Sequence, residues 1–175
     1  MAEWGKQVCA FSVEAAAALD VPGLGSPEAL TLTARKVRAA EVLAPRANAL
    51  AAAAEGLGAM QPPKEVQESS GAFTNYHAAL QRTIADLATA WQTLVNSAAS
   101  ARSAEEINAA NVVLMRADDD ADQTLALVGN AYLVSDEMRK ALAEPEDCGI
   151  LNKHIGSCPD PKRCSGLRLP ERAGA

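Results

Sequence analysis

The residues best suited to chemistry lie near the C-terminus. Cys148, His154, Cys158 and Cys164 place three thiols and an imidazole within 17 residues, a donor set sufficient for tetrahedral zinc. The close ligand pairs usual in such sites are missing, however, and a fourth cysteine, Cys9, stands far upstream. An even number of cysteines suits two disulfides instead. Disulfides persist in oxidising compartments. The expectation is therefore that Cys9, Cys148, Cys158 and Cys164 are all disulfide-bonded, with no metal and no cofactor, and zinc on the tail cluster is the alternative.

A second set is acidic. Asp118, Asp119 and Asp122 have the spacing of the aspartate-rich motif with which all-helical isoprenoid synthases hold magnesium against a diphosphate. Those enzymes are far longer and need a second acidic cluster on a facing helix, which this chain lacks. With Ala121 facing the core, the aspartates fall at its flank or on a solvated face. His77 is the only histidine within a strong helical pattern. It could ligate haem, but a histidine there is more commonly a hydrogen-bonded residue at the edge of a bundle. No Glu-x-x-His pair, Cys-x-x-Cys-His, Gly-x-Ser-x-Gly or phosphate loop occurs, which argues against di-iron, covalent haem, hydrolase and nucleotide chemistry. The expectation is that the chain is not an enzyme.

The elements that carry these residues are helical. The chain has 175 residues, about half of them hydrophobic but only 3% aromatic. Alanine, with 38 copies, dominates the apolar fraction. It is the strongest helix former but buries little area, so the core must come from closely packed helices with Leu, Val and a few aromatics between them. No alternating run suggests a strand. The formal charge of −6 disfavours nucleic acid and anionic lipid as partners. No apolar stretch is long enough to span a membrane.

Four helices are predicted. The first runs from Glu3 to Leu19, with Trp4, Val8, Phe11, Ala15 and Leu19 on one stripe. Ser26-Pro27-Glu28 reads as the start of the second, which turns Leu30, Val37, Leu43, Leu50 and Leu57 inward and is kinked at Pro45. Gly56, Gly58 and Pro62-Pro63 end it. The third carries Phe73, His77, Leu80, Ile84, Leu87, Trp91, Leu94 and Ala98 in steps of four and three, the spacing of a bundle seam. A capping box at Ser103–Glu106 opens the fourth, which turns Ile107, Leu114, Ala121, Leu125, Val128 and Tyr132 inward and reaches about Ala143.

Short connections favour an antiparallel up-down four-helix bundle over residues 3–143. Residues 144–175, rich in Cys, Pro and Gly, form an irregular tail packed on it, all within one domain. In that topology the first helix and the end of the fourth meet, so Cys9–Cys148 and Cys158–Cys164 are the preferred pairs among three connectivities.

Trp4-x-x-x-Val8-Cys9, Leu43-Ala44-Pro45 and the run Leu57-Gly58-Ala59-Met60-Gln61-Pro62-Pro63 leading to His77 and Leu80 resemble segments of small exported or lipid-anchored helical-bundle proteins of high-GC bacteria. The resemblance covers residues 4 to about 100. It implies export, with a lipid tether upstream of Met1 as one form of it, and no catalytic residue. The chain starts Met1-Ala2-Glu3-Trp4 without an export signal, so the targeting segment is expected to have been removed. The function expected is binding of a protein or small molecule, or a structural role in the cell envelope. A small metal- or cofactor-binding protein using the tail thiols or His77 is the alternative.

Overall fold

The computed structural model describes residues 2–19, 30–64 and 76–132, together with Cys148. Every regular element among them is helical. These are α1 (Ala2–Leu19), α2 (Leu32–Arg38), a π-helical turn (Ala39–Leu43), α3 (Ala44–Ala59), α4 (Tyr76–Ser100) and α5 (Ala104–Tyr132). α4 packs against both α3 and α5, while α1 packs against α3. None of these helices is long and apolar enough to cross a membrane.

α4 follows its sequence pattern throughout. His77, Leu80, Ile84, Leu87, Trp91, Leu94 and Ala98 are all buried, so the four-three steps place one continuous seam against the neighbouring helices. α5 opens as its residues dictate. The Glu106 amide donates to Ser103 Oγ at 3.4 Å, and Glu106 Oε2 accepts from the Arg102 amide at 2.7 Å. The returning carboxylate thus serves the residue before the cap rather than the cap itself. Ile107, Leu114, Ala121 and Leu125 are buried as expected, whereas the side chains of Val128 and Tyr132 lie outside the described residues.

The second predicted helix needs correcting in three places. Leu30 and Thr31 are not helical. Thr31 is instead the cap of α2, extended at φ −64° and ψ 158°, with its side chain accepting from the Ala34 amide at 3.2 Å. Ser26-Pro27-Glu28 lies outside the described residues. Val37, expected in the core, is 48% exposed, while Arg35 is 1% exposed. The π-turn is the reason. At its end the Ala44 amide bonds back to the Ala39 carbonyl, five residues earlier, so this turn holds one residue more than an α-turn. Buried positions through it fall at Arg35, Ala39, Leu43 and Ala47, steps of four that an α-helix would rotate off its face. Pro45 follows directly, where its ring would crowd the carbonyl of Glu41 in an unbroken α-helix.

Gly56 and Gly58 do not end the helix but lie within α3, whose last turn closes at Met60. Gly56 has a packing reason to be there. A Cβ at that position would collide with the Phe11 ring, so the missing side chain is what lets α1 lie this close to α3. The break at 20–29, Phe73 and the segment after Tyr132, apart from Cys148, lie outside the described residues.

Candidate functional site

Among the described residues, polar groups enter the apolar interior around His77, beside the cavity that Trp91 lines, and at Arg35. At the first, α1, α3 and α4 meet around Trp4, Leu57 and His77. The Trp4 and His77 rings are tilted with centroids 6.1 Å apart. His77 Nε2 lies 2.8 Å from the Leu57 carbonyl, which also accepts from the Met60 amide at 3.2 Å. A ring N–H at Nε2 donating to that carbonyl satisfies one of the acceptors that every helix C-terminus leaves open. His77 is 5% exposed, and its Nδ1 has no partner among the described residues. Burial lowers its pKa from the ordinary 6.5, against a smaller raising effect of the Leu57 hydrogen bond. The ring is thus a neutral cap on α3, with its outer nitrogen committed to backbone.

Cys9, in the same helix as Trp4, is bonded to Cys148. Both cysteines are buried. The bond spends the Cys148 sulfur and so takes one thiolate out of the tail zinc set. His154, Cys158 and Cys164 lie outside the described residues. Among the described residues no group of three or more metal-ligating side chains assembles.

The second region is a cavity of about 380 Å³ where the end of α1, the π-turn, α4 and α5 converge. Leu43, Leu87, Leu94, Leu114 and Leu125 wall it, and all five are buried. Trp91 completes the apolar wall; it is 5% exposed, and its indole Nε1 has no acceptor among the described residues. Polar lining comes from α5, through Asn111, Asp118 and Asp122. Their spacing places all three on one face of the helix, beside the buried Leu114, Ala121 and Leu125. Asp118 and Asp122 each also engage another group of the chain. Asp119, Asp120 and Asp122 are exposed and Asp118 is partly buried, so of the two carboxylates that line the cavity Asp122 also faces solvent.

Sequence reasoning weighed Asp118, Asp119 and Asp122 for magnesium, placed them at the flank of the core or in solvent and put Trp91 in the core, but did not foresee that Asp118, Asp122 and Trp91 meet at a cavity. The signal available was the i, i+4 spacing of the aspartates, with Asp118 four residues after the inward Leu114 and three before Ala121, and Asp122 three before Leu125. Arg35 was missed altogether. Its Nη1 donates to Asn108 Oδ1 on α5 at 3.0 Å, while Nε and Nη2 find no acceptor among the described residues. No family model matches this chain, and no match to it is found among curated proteins or solved structures.

Proposed function

We propose that this chain is a non-enzymatic, extracytoplasmic helical-bundle protein that binds a small molecule in the cavity between α1, the π-turn, α4 and α5. The cavity carries this reading. Its volume lies in the range of small-molecule sites, and it combines buried apolar walls with a few convergent polar groups. The Cys9–Cys148 bond supports the compartment, because such bonds persist where the surroundings are oxidising. An up-down antiparallel order, a bend of the second helix at Pro45 and a Cys158–Cys164 bond in the tail belong to the same reading.

The test is titration of the oxidised protein with N-phenyl-1-naphthylamine, a neutral dye that fluoresces in apolar surroundings. Saturable enhancement is expected, and Leu114→Trp, which fills the cavity, should abolish it without loss of helical circular dichroism. A dye response that is absent, or that survives Leu114→Trp, refutes the reading.

A further inference from the structure

We infer that the Arg35 guanidinium is an anion site, holding a small carboxylate inside the fold where α2 meets the start of α5. The π-turn brings the side chain inward, because it keeps Arg35, Ala39, Leu43 and Ala47 on one buried face. Arg35 is 1% exposed, and a guanidinium keeps its charge on burial where an ammonium would give it up. A buried charge is costly unless an opposite charge and hydrogen bonds meet it. What meets this one is a single neutral acceptor, Asn108 Oδ1, 3.0 Å from Nη1. Nε and Nη2 have no acceptor among the described residues, and solvent reaches neither nitrogen.

The open donors have a definite shape. Nε–H and one hydrogen of Nη2 project in parallel from one edge of the planar group, the fork that takes both oxygens of a carboxylate. Nη1, outside that edge, is the nitrogen already used. Asn108 adds to the same pattern, since an amide that gives its oxygen to Arg35 is left with its NH2 as donor. Every valence left open is thus a donor, and an ionised carboxylate only accepts. One negative charge also balances one guanidinium, whereas sulfate would bring a second that this group does not meet. The fork is enclosed, so the occupant is small and enters as the side chains around it shift. Arg35 is not among the residues lining the cavity, so this site stands whether or not the cavity binds a ligand.

The experiment is thermal unfolding of the oxidised full chain in sodium acetate and in sodium chloride of equal ionic strength. Acetate should raise the Tm above its value in chloride by about 3–6 °C for each tenfold rise in concentration above the Kd, the slope that one site gives in a chain of this length. Arg35→Met, which keeps the apolar stem and removes the charge, should melt alike in the two salts. A wild-type measurement guards against a variant that fails to fold. The Arg35 Nε–H resonance, assigned by its through-bond connection to the Arg35 backbone, should change saturably as acetate is added.

An equal rise in wild type and Arg35→Met is a general salt effect and overturns the proposal. So does an Arg35 Nε–H resonance that acetate leaves unchanged. A larger response to sodium sulfate than to acetate, lost in Arg35→Met, overturns the carboxylate assignment in favour of a tetrahedral oxyanion. Failure of the naphthylamine dye to bind removes the cavity reading alone and leaves this one in place.

Discussion

α4 carries one nitrogen-bearing ring in its first turn and another past its middle, and the two meet opposite fates. His77 is locked to the Leu57 carbonyl and covered by Trp4, so its surroundings are filled and its polar group caps a helix. Trp91, four turns along the same seam, faces a void with its nitrogen unmet by any described residue. Both rings occupy equivalent seam positions, so the difference comes from their neighbours. Near His77, Gly56 lets Phe11 and α1 press onto α3. Near Trp91, Leu19 of α1 and Leu43 of the π-turn stand across the cavity from α5, which lies against α4 alone among its principal neighbours. One seam thus makes a sealed region and an open one.

The comparison breaks most severely at the sealed region. Cys9→Ser removes a bond between residues 139 apart. The chain-entropy estimate for so long a loop is about 5 kcal/mol, an upper figure, and denaturant unfolding under oxidising conditions should show a loss of that order. Cys158→Ser should leave the helices nearly as stable as before. At the open region, Trp91→Ala should cost about 3 kcal/mol, the low end for large aromatic truncations because one wall already faces empty space.

Gly56→Ala tests the close approach of α1. Alanine alone would favour the helix by ~0.5–1 kcal/mol, but the clash with Phe11 should reverse the sign and leave a net loss of about 1 kcal/mol. In a Phe11→Ala background the same change should stabilise. A double-mutant cycle in thermal unfolding measures the coupling, and additive effects would remove Phe11 as the reason for the glycine.

The smallest effect is the pH response of His77. Its folded-state pKa lies below the 6.5 of an unperturbed ring, chiefly through burial. The unfolded chain therefore takes up the proton first. The contribution of the neutral ring is fully present above about pH 6.5 and is lost as pH falls through the folded pKa. Denaturant midpoints in wild type and His77→Gln should diverge above that pH and converge below it. Parallel curves would mean that the ring is better solvated than its packing implies.

What was legible in the residues follows from the same contrast. The α4 seam could be read directly, because unbroken four-three spacing maps onto one face whatever packs against it. The disulfide partner followed from topology and proved right. Val37 was misplaced and Arg35 overlooked because a π-turn changes helix phase. Pro45 signals a disturbance of the ladder but not how the chain absorbs it. Gly56 looked like a helix breaker because its role depends on a ring 45 positions away. The cavity was illegible for a deeper reason. Its wall residues are ordinary core types, and a void is a property of how helices diverge rather than of any one of them.

The Cys9–Cys148 bond also makes the molecule a covalent ring. Every residue from 10 to 147 lies on a closed circuit. A single peptide-bond cut anywhere on that circuit opens it without releasing a fragment, so a nicked chain differs from the intact one only by the water taken up, until it is reduced. A helix in this ring is tethered from both directions, and no one cleavage between the cysteines can separate α1 from α5.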